Sequence, residues 1–151
     1  MAPERQQRIQ KGMKKCGHCL ACSYVKEGKQ VIGHDYKGRK FIWKIGRQGQ
    51  CSSSNIVYLL ECDKEYCKKK YIGITQQEFC ERIFQHIGYV RNKQLNKATG
   101  EHFNLPGHSM HNMKFTMLEQ VMSSDPLYGR EREKLLIRKF NTFYKGINKE
   151  P

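Results

Sequence analysis

The sequence contains no long hydrophobic run. Its longest apolar stretch is IVYLL, residues 56–60, whereas a helix needs about 20 apolar residues to cross a bilayer. The basic segment MAPERQQRIQKGMKK at its start also lacks the apolar core of a secretory signal. These absences exclude a membrane-spanning segment and argue against export. We therefore expect a soluble protein in a reducing intracellular compartment, with no membrane partner.

Acidic residues are scarce. Only 14 Asp and Glu accompany 28 Lys and Arg, which gives a net charge of +14 and a pI near 9.6. The basic residues run from Arg5 to Lys149 rather than forming one tail. This distribution favours a folded protein that binds a polyanion over a globule with a basic arm. A charge that serves only solubility is the alternative.

The chain also lacks internal repeats and low-complexity tracts, and its 151 residues suit one compact core with a small appendage. We divide it into three segments. Residues 1–15 are polar and basic without apolar periodicity, which predicts a disordered lead-in. Residues 16–54 form a cysteine-rich module with too few apolar residues to form a hydrophobic core of its own. Residues 55–151 hold the remaining apolar periodicity and form the main domain.

The main domain shows the patterns of an α+β fold. Apolar runs predict strands at residues 55–62, 70–75 and 114–121, and one further strand at 41–45 in the cysteine-rich module. Residues 76–92 carry apolar side chains at helical spacing, which predicts an amphipathic helix with Arg82 and His86 one turn apart on its polar side. A second long helix follows the capping residues SSD at 123–125.

The chain has seven cysteines, and in a reducing compartment these indicate metal binding rather than disulfide bonds. The segment CGHCLAC spaces three of them by two residues, and a fourth lies ahead of the first core strand, which suits a tetrahedral zinc ion. The predicted ligands are Cys16, Cys19, Cys22 and Cys51. His18 could replace one of them, and a set of free buried cysteines is the alternative reading.

A second candidate zinc site combines two cysteines with two histidines. Cys62 and Cys67 lie between the first two core strands, and His102 and His108 follow the first helix. Their spacings fit a structural zinc if the loop after the helix folds back over the strands; ordinary surface histidines are the alternative. Either ion could contribute on the order of 10 kcal/mol to folding. Cys80, near the apolar side of the helix, reads as a small core residue.

Hydroxyl, guanidinium, imidazole and carboxylate groups from separated segments form a candidate active site. Such a set suits phosphodiester cleavage, because a carboxylate can hold a divalent metal and a guanidinium can bind phosphate. A phenol or an imidazole can orient a water molecule or accept its proton. Taken singly, each of these residues has an ordinary structural explanation in packing or surface charge. The candidates are Tyr58, Tyr71, Arg82, His86 and Glu133.

The ordered combination of these residues resembles a known family. The segments IVY at 56–58, YIG at 71–73, REKLLIRKFNT at 132–142 and GIN at 146–148, with the helix arginine and histidine, resemble the GIY-YIG endonucleases. The resemblance implies a small nuclease fold, a three-stranded antiparallel sheet flanked by helices. It also implies the catalytic set Tyr58, Tyr71, Arg82, His86, Glu133 as the metal-binding glutamate, and Asn148.

Within that family, the chain is most similar to the C-terminal endonuclease of Penelope-like retroelements. A cysteine pair between the tyrosine motifs, a histidine pair after the helix and further upstream cysteines carry this likeness, which strengthens the second zinc site. Ile56 stands where the family name has glycine, and the retroelement branch looks similar there. The likeness implies a nuclear protein and a reverse transcriptase domain in the same element. The chain would be either an excised domain or a free-standing derivative.

The resemblance implies a metal-dependent DNA endonuclease that nicks one strand at a time and primes target-site reverse transcription. One Mg²⁺ or Mn²⁺ would be held by Glu133. Tyr58 would accept or relay the proton of the attacking water, Tyr71 and His86 would orient water or phosphate, and Arg82 would stabilise the developing charge. The alternatives are a non-catalytic zinc-dependent DNA-binding module and a repair or restriction nuclease.

Basic residues near these motifs are candidate phosphate contacts. Such contacts position DNA without reading its sequence and make binding depend steeply on salt. Any base selectivity would come from the upstream zinc module. The predicted DNA-binding residues are Lys68, Lys69, Lys70, Arg91, Lys93 and Lys97.

Overall fold

The computed structural model describes residues 10–151, which contain seven strands and three α-helices. Two 3-10 turns, Leu20–Tyr24 and Met110–Asn112, add short connections. The mixed α and β content predicted from the sequence is confirmed. In chain order the elements are β1 (Gly12–Met13), β2 (Gln30–His34), β3 (Lys40–Lys44), β4 (Gln48–Gly49), β5 (Ile56–Cys62), β6 (Lys70–Thr75), α1 (Phe79–Arg91), α2 (Ala98–His102), β7 (Met113–Gln120) and α3 (Pro126–Phe140).

An antiparallel sheet with strand order β6-β5-β7 lies at the centre of the fold. Strand β5 is buried along nearly its whole length, which explains why it reads as a continuous apolar run rather than an alternating one. The pairing of β5 with β7 shifts its register between Val57 and Tyr58. An irregularity of this kind re-aims the side chain that follows it, and here that side chain is Tyr58.

Two long helices flank the sheet. Helix α1 buries Phe79, Ile83, Ile87 and Val90, which recur on one face. It begins three residues later than predicted, because residues 76–78 form the turn that leaves β6. Helix α3 begins at the cap Asp125, whose carboxylate accepts from the Leu127 amide at 3.0 Å. Among the described residues, no helix is both long and apolar enough to cross a membrane.

The cysteine-rich module shares the core of the main domain. Its residues form a β2–β3 hairpin rather than the single predicted strand. The Trp43 indole donates to the Leu118 carbonyl at 2.9 Å, and the rings of Phe41 and Phe140 pack with centroids 4.9 Å apart. Burial of these aromatic side chains joins residues 16–54 to the sheet and α3, so the boundary drawn at residue 54 does not separate two cores.

The lead-in predicted to be disordered, residues 1–15, is partly ordered. Strand β1 pairs in parallel with β4, and the Met13 side chain is only 1% exposed. The prediction was wrong for this part because a single buried methionine, without neighbours at a regular spacing, leaves no periodic signal. Residues 1–9 lie outside the described residues.

Gly73, in the YIG segment, allows the Tyr58 ring to lie across the neighbouring strand. The two residues are paired partners on β5 and β6. A Cβ atom built on Gly73 would lie 2.4 Å from the Tyr58 hydroxyl oxygen and 2.5 Å from the ring carbon that bears it. Because Tyr58 is fully buried, its ring cannot move aside into solvent. Only glycine fits at this position without displacing Tyr58.

We expect Gly73→Ala to lower the free energy of unfolding by roughly 1–3 kcal/mol, the usual cost of overpacking a tight core. Gly88→Ala is the matched control, since a Cβ there meets nothing within 4 Å and alanine favours a helix interior by about 0.5–1 kcal/mol. Urea denaturation of the two variants measures both effects. Equal stability of Gly73→Ala and the unmodified chain would refute this account of Gly73.

Candidate active site

The Tyr58 hydroxyl is the point at which the predicted site residues converge. Tyr58 is 0% exposed. The Arg82 Nε donates to its hydroxyl oxygen at 3.0 Å, and the His86 Nε2 lies 2.6 Å from the same oxygen. Arg82 and His86 meet there because they are one turn apart on α1, the helix that packs over this face of the sheet.

His86 lies on the buried side of α1 and not, as predicted, on its polar side. Its side chain is 1% exposed, and its Nδ1 lies 2.9 Å from the Thr99 hydroxyl oxygen on α2. Burial and then the charge of Arg82 hold the pKa of His86 well below its usual range. The imidazole is therefore neutral, with one ring nitrogen able to donate and the other able to accept.

Arg82 remains a cation although it is half-buried. Burial disfavours its charge, but Tyr58 and then Tyr71 raise its pKa, so that the net effect is an increase. One terminal nitrogen donates to the Gln85 side-chain oxygen at 2.7 Å and lies 3.5 Å from the Tyr89 hydroxyl. The guanidinium is thus held at the edge of the site by residues on its own helix.

Tyr71 is the phenol that borders solvent. It is half-buried on β6, whereas Tyr58 is covered completely. Its ring centroid lies 6.4 Å from that of Tyr58 and 5.6 Å from that of His86. Burial raises the pKa of Tyr71 and the Arg82 charge opposes this increase. Both phenols lie at the candidate site, but only Tyr71 is in contact with solvent.

Among the predicted site residues, Glu133 supplies the carboxylate. It is half-buried on α3, and burial raises its pKa while the charges of Arg82 and Arg130 lower it. Within residues 10–151, no cation lies at ion-pair distance from Glu133. The adjacent Arg132 instead forms a bidentate salt bridge with Glu119, at 2.6 Å for each contact. A half-buried carboxylate that forms no ion pair is suited to hold a divalent metal ion.

Asn148 is a positioning residue. Its side-chain oxygen accepts from the Ile72 amide at 2.8 Å and from the Thr142 hydroxyl at 2.6 Å, while its nitrogen donates to the Ile72 carbonyl at 2.9 Å. These hydrogen bonds pair the backbone of Ile72, between Tyr71 and Gly73, at the outer edge of β6. The amide therefore holds the edge strand on which Tyr71 lies.

The four cysteines of the first predicted metal site lie together. Their sulfur atoms are all within 4.8 Å of one another, and Cys22 lies 3.5 Å from Cys16, 3.6 Å from Cys19 and 3.8 Å from Cys51. Backbone hydrogen bonds, led by that of Cys19, lower the pKa of Cys22 to about 6. The cluster could hold zinc. His18 is exposed and lies outside it.

The second predicted site is also assembled, from Cys62, Cys67, His102 and His108. The His102 Nε2 lies 3.5 Å from the Cys67 sulfur. The His108 Nδ1 lies 3.2 Å from the Pro106 carbonyl oxygen, to which it can donate. Its Nε2 is the one buried side-chain nitrogen or oxygen without a hydrogen-bond partner in the described part of the chain. An unpaired imidazole nitrogen facing two sulfurs fits a metal ion.

The protonation state of His102 in the second cluster also favours a metal. Burial, with smaller contributions from His108 and Lys69, lowers the pKa of His102 to about 4, so its imidazole is neutral and free to ligate. Burial raises the pKa of Cys62 to about 11 in the metal-free chain. Metal binding would therefore release a proton from Cys62.

The first cluster is linked to the start of α1. The Cys80 amide donates to the Cys51 carbonyl at 2.8 Å, and the Phe79 amide donates to the Ser53 carbonyl at 2.7 Å. No side chain caps this helix at Glu78. The loop that carries Cys51 therefore caps the helix that carries Arg82. Cys80 is half-buried and packs against the core, close to its predicted placement.

The predicted DNA-binding residues form two groups. Lys68, Lys69 and Lys70 line a groove of ≈ 290 Å³ together with Lys145. The other three follow α1: Arg91 and Lys93 are exposed at its end, and the Lys97 ammonium lies 5.4 Å from the Tyr89 ring centroid. Because Tyr89 also contacts Arg82, Lys97 is the member of this group that approaches the candidate active site.

Three residues at the site were not predicted: Gln85, Tyr89 and Thr99. Gln85 and Tyr89 follow Arg82 by three and seven residues, so the helical periodicity that grouped Arg82 with His86 could have identified them. Thr99 lies on α2, after the loop that follows α1, so helical spacing does not relate it to Arg82. Its place beside His86 depends on how α2 packs against α1, which no local pattern encodes.

Comparison with known protein families shows to which family the chain belongs. The model of the GIY-YIG catalytic domain matches residues 54–148, which is more than half of the chain. The chain belongs to the GIY-YIG family. This is a nuclease family whose members use divalent metals, and a nuclease domain implies a DNA substrate. No curated protein and no solved structure matches the chain.

The membership confirms the family predicted from the sequence and the general activity of a nuclease. The GIY-YIG match begins at residue 54, two residues before β5, and ends at Asn148. It includes every predicted catalytic residue and the second metal cluster, while the first metal cluster lies upstream of it. The closer likeness to Penelope-like endonucleases stays a prediction.

We expect purified protein to contain about two zinc ions per chain, one for each four-residue cluster. His108→Ala should reduce this to about one, because it removes the ligand whose Nε2 is unpaired. His111→Ala is the matched control, since His111 is exposed and outside both clusters. Elemental analysis by mass spectrometry measures the content. Absence of zinc, or an unchanged content in His108→Ala, would contradict the assignment of the second site.

Proposed function

We propose that the chain is a metal-dependent endonuclease that hydrolyses one strand of DNA at a time. The observation that carries this proposal is the arrangement of Arg82 and Tyr71 beside the buried Tyr58 hydroxyl, with the Glu133 carboxylate near enough for its charge to add to the effect of burial in raising the pKa of both tyrosines. Within residues 10–151, Glu133 has no ion-pair partner. The hydrogen bonds of the buried Tyr58 hydroxyl explain why Arg82 and His86 lie there, but they do not account for a second phenol and a carboxylate beside them. Phosphodiester hydrolysis does require such groups.

Arg82 is the proposed phosphate-binding residue. A cation held by Tyr58 and Gln85 in a half-buried position is already oriented when the substrate arrives, so little reorganisation is needed as charge develops on the phosphate. Because Tyr58 has no exposed surface, water reaches its oxygen only after a neighbouring side chain moves. Arg82 donates to that oxygen and is only half-buried, so it is the residue that a phosphate group would draw outward.

The two tyrosines have different proposed roles. Burial raises the pKa of the Tyr58 phenol, so Tyr58 first loses its own proton to solvent, through the opening that Arg82 leaves when it turns to the phosphate. The resulting phenolate then accepts the proton of the attacking water. Tyr71, which borders solvent in the free chain, orients that water. His86 stays beside the Tyr58 oxygen throughout, because its other ring nitrogen is bonded to Thr99. A neutral imidazole in this position can form a hydrogen bond with the Tyr58 hydroxyl without adding charge to a buried site.

Glu133 is the proposed ligand of the catalytic cation, Mg²⁺ or Mn²⁺. When bound, the ion supplies Lewis-acid stabilisation of the negative charge on the phosphate. Glu133 is half-buried on α3 and has no ion-pair partner within residues 10–151, and both observations support this role. A single carboxylate favours one ion rather than two. We assign structural zinc to both cysteine-containing clusters.

The biological role we propose is target-site nicking for a Penelope-like retroelement in the nucleus. The nick would supply the 3′ end that a reverse transcriptase domain of the same element extends. The assembled cluster of Cys62, Cys67, His102 and His108 supports this role, because it joins an insert between the tyrosine motifs to the segment after α1. This combination carried the likeness to that branch in the sequence.

Nicking of supercoiled plasmid in the presence of Mg²⁺ tests the activity. We expect open circles from the unmodified chain and a rate at least about 100-fold lower for Glu133→Gln, because loss of a metal ligand removes several kcal/mol of transition-state stabilisation. Glu131→Gln, on the exposed side of the same helix, should retain the rate. DNA binding without nicking by the unmodified chain would instead identify a non-catalytic binding module.

The salt dependence of DNA binding tests the lysine groove. The double variant Lys68→Ala/Lys69→Ala should bind more weakly, and the slope of log K against log salt should decrease by about 0.9 for each phosphate that the variant no longer neutralises. Lys44→Ala, an exposed lysine outside the predicted set, controls for the general loss of charge. Fluorescence anisotropy over a salt series measures both quantities. An unchanged slope in the double variant would remove these lysines from the DNA interface.

A further inference from the structure

Thr99 is a buried hydroxyl at the back of the candidate active site. It lies on α2, is 1% exposed, and its oxygen is 2.9 Å from the His86 Nδ1. His86 is in turn 2.6 Å from the Tyr58 hydroxyl, to which the Arg82 Nε donates. Four side chains from β5, α1 and α2 therefore form one continuous chain of three hydrogen bonds.

The hydrogen atoms of this chain can be counted. Three contacts need three hydrogens, whereas the Arg82 Nε, neutral His86 and the hydroxyls of Tyr58 and Thr99 bring four. Within the part of the chain that the structure describes, neither hydroxyl has a further partner. One hydrogen is therefore left without an acceptor in a buried cluster, which is costly.

The surplus hydrogen distinguishes two arrangements of His86. If the Nδ1 carries the imidazole proton and donates to Thr99, Tyr58 donates to the Nε2, and the unpaired hydrogen belongs to Thr99. If Thr99 donates to the Nδ1, the Nε2 donates to Tyr58, and the unpaired hydrogen belongs to Tyr58. Only the second arrangement presents Tyr58 with two donors. Its own proton then has no acceptor among the described residues and passes to solvent once Arg82 turns away.

We propose that Thr99 is a positioning residue that donates to the His86 Nδ1 and thereby makes the Nε2 a donor to the Tyr58 oxygen. This inference rests on the proposed function, in which Tyr58 accepts a proton from water. An oxygen that receives donors from Arg82 and His86 is prepared for that role before the substrate arrives. When Arg82 turns to the phosphate, the donor from His86 remains.

The second metal cluster holds Thr99 in place. Thr99 and the ligand His102 are three residues apart on the same short helix, which is too short to be stable by itself. The His102 Nε2 lies against the Cys67 sulfur, and Asn104 adds bonds to the Gly100 and Val90 carbonyls at 2.7 and 3.0 Å. The cluster thus fixes α2 against α1 and brings the Thr99 hydroxyl to His86.

The ring nitrogens of His86, observed by ¹⁵N NMR in the zinc-loaded protein, test the proposal directly. We expect the unmodified chain to show a protonated Nε2 and an unprotonated Nδ1. Thr99→Val keeps the shape of the side chain and removes the hydroxyl, so the form with a protonated Nδ1 should become populated. Thr99→Ser should restore the original form. Thr116→Val controls for loss of a buried threonine hydroxyl, since Thr116 bonds to the Lys26 carbonyl instead.

Plasmid nicking supplies the second readout. Thr99→Val should lower kcat about tenfold, a change equal to one hydrogen bond of ordinary strength. It should leave KM unchanged, because the buried Thr99 side chain presents no surface to DNA. Thr99→Ser should recover most of kcat, and Thr116→Val should retain it. If Thr99→Val does not fold, Thr99→Ala, which adds no methyl group, takes its place in both measurements.

A protonated Nδ1 in the unmodified chain, or full kcat and an unchanged His86 spectrum in the Thr99 variants, would overturn the proposal. The two measurements also separate its failure from that of the proposed function. If the unmodified chain does not nick DNA, the nuclease proposal fails while the spectrum still decides how Thr99 and His86 are bonded.

Discussion

A single buried oxygen, the hydroxyl of Tyr58, constrains the surrounding structure. It has no access to water, so its hydrogen bonds must come from the protein. Arg82 and His86 provide them from α1, and Gly73 leaves the space in which the ring can lie across β6. The same contacts that satisfy a buried polar group therefore gather the cation, imidazole and phenols of the candidate active site.

The two cysteine clusters lie outside the active site but connect to it through the backbone. The loop that carries Cys51 caps the first turn of α1, and the helix that carries His102 also carries Thr99. Each cluster could replace a larger hydrophobic core in fixing a short segment, since a chain of this size buries limited apolar surface. Metal at either cluster would then contribute to the placement of Arg82 or His86.

The cysteine-rich module and the main domain are one unit in packing although they differ in composition. Trp43 and Phe41 place their rings against β7 and α3, and Val25 pairs with Phe115 of the central sheet. The change in composition near residue 54 marks where the family motif begins. It does not mark where a core ends, because a shared core is made by contacts between residues distant in sequence.

The order of β5, β6, α1, β7 and α3, the grouping of cysteines and histidines into two candidate metal sites, and the family motifs followed from the sequence alone, since spacing along the chain encodes periodicity and ligand sets. Helical spacing also placed Arg82 and His86 on one face. Tertiary structure decided which face was buried, that Tyr58 is covered while Tyr71 borders solvent, that Met13 joins the core, and that Thr99 meets His86. Burial and the pairing of polar groups depend on what packs against a residue, and the partner is distant in sequence.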